Sequence, residues 1–441
     1  MNTLKILSIS AAAFCSLLCI NMAFVSSSSE LEEAPITVCK TPKGCVFRTM
    51  FGEESSDSAF VFTTPTNVGN AVDNGLKWMA KAQQENGGWG AGSHHRQNVL
   101  NPHAVSTDPA TTAMVAMALL RTGNTLEQGE YAGQLNKALL YLLEAVESTP
   151  KDRVKITTEQ HTQIQAKLGQ HIDAVLTLQF LTNISDYKLP EALEKRVARA
   201  MDVCVSKIQQ AQDGNGSLRG AGWAGVLQSS MATNALEAAE VQGADVDGDA
   251  LKKSKSYQKD NYNYRTGEAK TDAGAGIVLY SVSGSVRASA KEARKVKEKV
   301  KKAVEEGKLE ENEPVSVEML QDIGFEEDEA LEAYTAYNVY NSSKVKAQDK
   351  DVMSGFGNNG GEEFLSYLQT GESLIVNKDE TWKDWYDNVS GRLISIQNDD
   401  GSWNGHHCIT SPVFCTATTL LTLSIHNDIE RLVALGSSEE E

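Results

Sequence analysis

One short pattern recurs along this chain and constrains it more than any other feature: Gln, three residues, Gly, one residue, Trp. It is complete at Gln83, Gly87 and Trp89 and again at Gln397, Gly401 and Trp403, while Gln212, Gly216 and Leu218 repeat it with Leu for Trp. Each copy follows a helical stretch (70–83, 189–212, 380–397) and precedes another (109–121, 226–242, 414–426). Self-similarity of this kind marks a repeat architecture. Gly just past a helix end accepts the left-handed conformation that closes the helix. The Trp or Leu then packs back on the helix ends, and the Gln amide bonds backbone groups that the helix leaves free.

The helices on the two sides of the turn differ in character. The one before it carries Lys77, Lys81 and Glu85 and is partly solvated. The one after it holds only Thr, Ala, Met, Val and Leu from 111 to 120. A helix apolar all round is buried. Outer helix, turn and inner helix, repeated, predict two concentric layers: an all-α chain, an α/α toroid, over residues 67–430. Further helical stretches at 131–147, 158–183, 248–261, 273–306, 315–324, 328–345 and 360–375 fill the gaps. The Lys-rich run 291–306 has an apolar stripe at Ala293, Val296, Val300, Ala303 and Val304, which reads as a solvated helix packed on one side. With the acidic loop after it, this gives a charged insertion at about 290–315. Residues 431–441 read as an acidic tail.

The hydrophobic share of 41% and charged share of 23% are those of a globular chain. The net charge of −18 argues against a nucleic-acid partner or an anionic membrane surface. Near the N-terminus, Lys5 precedes an uncharged, mostly apolar run to Val25, and Ser26 to Ser29 and three Glu follow. This predicts a cleaved secretory signal over 1–25, an extended arm over 26–66, and a periplasmic or extracellular protein with no membrane contact after cleavage. A retained anchor is the alternative. Of the seven Cys, Cys15 and Cys19 fall in the signal. Cys39–Cys45 and Cys408–Cys415 are possible disulfide loops, and the odd number remaining leaves at least one thiol free or shared between chains.

At its three turns the chain resembles the terpenoid cyclase and protein prenyltransferase superfamily, whose fold is an α/α toroid. Among its members the chain is most similar to secreted bacterial prenyltransferase and squalene oxidase repeat proteins, which often end in a His-His-Cys stretch like His406-His407-Cys408. The resemblance covers about residues 67–430 and implies the fold, not a reaction. The cyclase motif Asp-x-Asp-Asp is missing: in 244–249 Gly248 stands where an Asp is needed, and Asp399-Asp400 belongs to a repeat turn. The prenyltransferase zinc set is incomplete too. Cys415 matches its Cys position but Val413 precedes it by two, and Asp108 at the first inner helix is followed by Ala110 rather than Cys.

Several residues carry candidate chemistry. His94 and His95 follow the first turn and His406, His407 and Cys408 the last, so a closed ring would bring both connections to one mouth. One residue from each connection would make a zinc site; mouth-lining loop contacts are the plainer reading. The segment 355–363 contains Gly-x-Gly-x-x-Gly, but no strand precedes it. Its Glu362 and Glu363 sit at a helix start, where carboxylates cap the dipole or, in a cavity, serve as acid and base. Asp108 is a third catalytic candidate. Trp89, Trp223 and Trp403 are the aromatic candidates for lining a ligand cavity. The expected function is the binding of an apolar or polymeric ligand in a central cavity. The alternative is a metal-assisted transferase or hydrolase, or a cyclase-like isomerase, built on the His/Cys cluster. A polysaccharide lyase is a further possibility, since some such lyases also stack helix pairs with Gly-Gly-Trp turns.

Overall fold

A computed structural model describes residues 64–150, 152–357 and 359–437. The expected signal, almost all of the arm, and Cys39 and Cys45 lie outside the described residues. Over the described residues the chain is all-α, 64% helical with 16 helices, and its one described sheet is the two-residue ribbon β1 (Tyr262–Asn263) and β2 (Glu268–Ala269).

The helices are α1 (Thr66–Lys81), α2 (Pro109–Arg121), α3 (Ala132–Glu147), α4 (Gln163–Lys167), α5 (Ile172–Ser185), α6 (Glu191–Ala211), α7 (Gly225–Val241) and α8 (Gly248–Lys259). They continue with α9 (Val278–Glu305), α10 (Val317–Asp322), α11 (Glu327–Gln348), α12 (Lys350–Met353), α13 (Gly361–Val376), α14 (Trp382–Ser395), α15 (Pro412–Leu423) and α16 (Ile429–Gly436). Every residue of α2, α13 and α15 is buried, and nearly every residue of α5 and α7. These helices tolerate burial on all sides because their Ser and Thr hydroxyls bond their own preceding turn. Thr418 donates to the Phe414 carbonyl (2.8 Å), Thr370 to Ser366 (2.8 Å) and Thr233 to Ser229 (3.0 Å). Helix α2 packs on α5, α5 on α7, α7 on α9, α9 on α13, α13 on α15, and α15 on α2. Helix α9 is buried on all sides from Leu279 to Ala290 and on one side beyond, and the remaining long helices bury one face only: α1 turns Val68, Ala71, Leu76 and Met79 inward.

The three turns are built alike. Gly87, Gly216 and Gly401 have φ of +86°, +91° and +93°. A Cβ on each would collide with a backbone carbonyl of the next outer helix: Lys137, Lys253 and Asn74 respectively. The Gln amide holds both sides of each turn. Gln83 donates to the Gly87 and Gln134 carbonyls, Gln212 to Gly216 and Ala250, and Gln397 to Gly401 and Ala71. The last turn therefore docks on α1, the first helix. On the opposite face, Arg121 at the end of α2 reaches Glu372 on α13, Asp428 before α16 and the Leu421 carbonyl on α15.

Three boundaries fall elsewhere than the sequence pattern suggests. The stretch 158–183 breaks into α4 and α5 at Gly169, whose φ of +149° an L residue resists. The stretch read as an insertion is, up to Glu305, the second half of α9, and its buried Val296 and Val300 join Leu320, Phe325 and Ala333 in a second small core. Past residue 430 the chain stays helical, with Leu432 and Leu435 buried in α16. Among the described residues no helix is long and apolar enough to cross a membrane.

Candidate functional site

The connections entering the buried helices converge at those helices' N-terminal ends. Gln163 in the first turn of α4 accepts the Thr410 and Ser411 backbone N–H groups (2.8 and 3.2 Å). Thr410 donates its hydroxyl to the Gln97 carbonyl (2.7 Å), and the Gln97 amide bonds the Cys408 carbonyl. His94 N–H donates to the His161 carbonyl (2.9 Å), and His406 N–H to Asn359 (2.8 Å). Backbone N–H groups of Trp223 and Ala224 bond the Ala166 and Lys167 carbonyls. Residues 90–106, 159–167, 219–224, 355–357, 359–363 and 404–411 thus form one surface.

Two adjacent acids start α13, and both are buried. The Glu363 carboxylate accepts the Tyr280 hydroxyl (2.6 Å) and the Phe356 N–H (2.9 Å) through Oε1. Its Oε2 has no hydrogen-bond partner and lies 3.7 Å from His407 Nε2, and neither His407 nitrogen has a partner. Glu362 Oε2 accepts the Ile409 N–H (3.2 Å), and the Cys408 thiol bonds the same carboxyl. Burial, and then the neighbouring Glu363, push Glu362 up to about 8, so it carries a proton at neutral pH. Burial and the adjacent Glu362 also push the Cys408 thiol up to about 12, which leaves it a poor nucleophile. Burial lowers His407, against the pull of Glu363. Two adjacent carboxyl groups, that of Glu362 protonated, and an imidazole side by side can bind hydroxyls as donors and acceptors and can move a proton.

The other candidates separate into working and structural groups. Asp108 is a cap, not a catalyst. It is wholly buried and saturated, accepting Thr111 N–H (2.8 Å), Thr111 hydroxyl (2.9 Å) and Ala91 N–H (2.9 Å). Burial, then the neighbouring Asp173, raise it to about 7. Trp89 and Trp403 cannot line a ligand site. Both are fully buried, and their indole N–H groups are spent on the Met79 (3.0 Å) and Leu393 (2.7 Å) carbonyls. Trp223 is different: it is 66% exposed and lies over Lys167 Nζ at 4.7 Å from the ring centroid.

The expected metal set does not assemble. Among the described residues no three His, Cys, Asp or Glu side chains converge where an ion could sit. His94 leans on His95 (5.5 Å between centroids) and His95 on His161 (5.9 Å), whereas His407 packs against His406 (4.6 Å) and Phe356 (5.2 Å). The two connections meet through Gln97 rather than through their imidazoles. Cys408 and Cys415 are free thiols, not a disulfide, and Cys415 Sγ donates to the Ile409 carbonyl (3.5 Å).

Sequence reasoning missed Lys167, Tyr280, Gln163 and Asp173. Asp173 had a signal, a lone acid in the apolar run Ile172 to Leu176. Lys167 and Gln163 were hidden in a stretch read as one continuous helix. No family model matches the chain, and no curated protein does.

Proposed function

We propose that this chain is an exported α/α toroid that binds a polymeric, ring-bearing ligand across one mouth. The cyclic order of contacts, α2 to α5, α7, α9, α13, α15 and back to α2, supports a closed inner ring. The repeat turns and the resemblance to the cyclase and prenyltransferase superfamily point the same way. Export rests on the N-terminal sequence alone. The binding place moves from the centre, where the sequence suggested it, to the mouth. A ligand-sized hole would expose its walls, yet α2, α13 and α15 are buried on every side.

The observation that carries the reading is Trp223. A large aromatic face is held 66% exposed over Lys167, whose charge reaches buried Glu362 and part-buried His407. Phe356, 62% exposed and packed on His407, stands at the same cluster. Exposed aromatics flanking hydrogen-bonding groups suit a chain of sugar rings, which offer apolar faces and hydroxyl edges. Affinity electrophoresis against β-glucan, xylan, pectin and chitin, beside farnesol in detergent, tests this. A glycan retards the protein, and Trp223→Ala weakens binding at least tenfold, about 1.4 kcal/mol, with unchanged circular dichroism. Equal binding by Trp223→Ala, or binding of farnesol and no glycan, refutes the reading. The runner-up is acid–base catalysis at the same mouth, favoured by the protonated Glu362 beside Glu363.

A further inference from the structure

Lys167 has no role in the fold that its surroundings explain. Only 6% of the residue is exposed, yet among the described residues its Nζ makes no hydrogen bond and no ion pair. Its one recorded partner is the Trp223 ring. The stem is buried, but Nζ is not among the buried atoms left without a partner, so the ammonium reaches solvent beside the indole. The buried acids of the mouth do not serve. Glu362 feels the Lys167 charge but is itself held protonated at neutral pH by burial and by Glu363. Glu363 turns its Oε1 to Tyr280 and Phe356. The field of Lys167 also reaches His94, His407 and Cys408, so it spreads over the mouth rather than into one partner.

The cation has company. Arg96 lines a cavity of about 180 Å³ with Ser93, Thr162 and Glu159 in the same connections. Arg219 and Lys155 both act on His171, at the start of α5, although Arg219 already pairs with Asp213 (3.7 Å). The chain as a whole carries −18 and repels anions at long range. The Lys167 ammonium, unpaired among the described residues, therefore favours an anionic group held at one defined place at the mouth.

We infer that Lys167 and Trp223 form a subsite for a carboxylate-bearing sugar ring, the Trp223 face stacking on the ring and the Lys167 ammonium pairing with its carboxylate. This rests on the glycan-binding reading above and names the class of glycan: a uronate-containing polymer. The chemistry fits both halves of the site. The apolar face of a pyranose stacks on a flat indole, and the unpaired ammonium donates to the charged edge that a neutral sugar lacks.

The test compares two forms of one polymer, polygalacturonate and its methyl-esterified counterpart, by isothermal titration calorimetry. The wild type binds the acid at least tenfold more tightly than the ester, and the preference shrinks as salt rises. Lys167→Met, which keeps the apolar stem, binds both forms alike. Lys167→Arg keeps the preference, and Trp223→Ala weakens both forms together. Equal wild-type affinity for acid and ester overturns the inference and leaves glycan binding standing. A preference that persists in Lys167→Met, or is indifferent to salt, also overturns it. Acetate competing as well as galacturonic acid reduces the site to a bare anion contact and does the same. If neither form nor any other glycan binds, this inference and the proposed function fall together. Should Lys167→Met not fold, the acid–ester comparison and its salt dependence on the wild type decide alone.

Discussion

Arg121→Met probes the contact that ties the first buried helix to the last elements of the chain. The Arg121 side chain is 3% exposed and its Nη2 lies 2.7 Å from both Glu372 Oε1 and Asp428 Oδ2. Asp428 keeps a second partner in Arg431, but Glu372 is 7% exposed and has no other ion pair among the described residues. Met matches the length of the Arg stem, so the substitution removes the charge more than the packing. Removing one member of a buried pair costs about 3–5 kcal/mol, because the remaining charge stays desolvated and alone. The double variant Arg121→Met/Glu372→Gln removes the orphan charge and recovers most of that loss. Urea unfolding followed by circular dichroism measures both, since a non-ionic denaturant does not screen the pair. The acid limb gives a second reading. Against its burial, Arg431 and Arg121 hold Asp428 down to about 2. A carboxyl depressed on folding adds stability above its unfolded value near 4 and loses it as pH falls through its folded one, here about 2–3 kcal/mol. That acid-side loss becomes shallower in Arg121→Met. A cost below about 1 kcal/mol, or a double variant as weak as the single one, refutes the argument.

The raised carboxyls predict the opposite slope near neutrality. Between about 4.5 and 8 the folded chain keeps a proton on Glu362 that the unfolded chain has lost, so stability falls as pH rises, by about 1.4 kcal/mol per unit. Glu362→Gln flattens that fall, and parallel Tm–pH curves for the two proteins would falsify the assignment. Trp403→Leu, which copies the middle turn, loses the indole bond to Leu393 and part of a fully buried ring, for about 2–3 kcal/mol in urea unfolding. A loss under about 0.5 kcal/mol would show that the ring is not packed as described.

The helical class and the three turns were legible because both depend on local chemistry. A Gly at positive φ, a Gln four residues before it and a large apolar residue two after it specify a turn wherever they occur. What each turn docks against is not local: Gln397 bonds Ala71, and nothing in either neighbourhood announces the other. The same limit hid the roles of the tryptophans. Trp89 and Trp403 satisfy their indoles on helix ends ten residues back, while Trp223 turns to solvent over a lysine from another connection. Composition cannot separate these cases. The histidines misled for a related reason. Two pairs at equivalent turns suggested one ligand set, but each pair packs together within its own connection, His94 tilted on His95 and His406 edge-on to His407.

Helix polarity explains why the acids gather on one face. Asp108 caps α2, Asp173 lies in the first turn of α5, and Glu362 and Glu363 begin α13. Each stands where unpaired N–H groups and the positive end of the dipole favour a carboxylate. Since repeated turns deliver the chain to the start of each buried helix, capping alone would collect acids there without any function. The distinction between a cap and a site lies in what remains unsatisfied. Asp108 spends both oxygens on three donors, whereas Glu363 leaves Oε2 open toward His407 and Lys167 leaves its ammonium unpaired beside an exposed indole. Open valences of both signs within one cluster are more than helix capping requires, and they are the groups a ligand with hydroxyls and a carboxylate would complete.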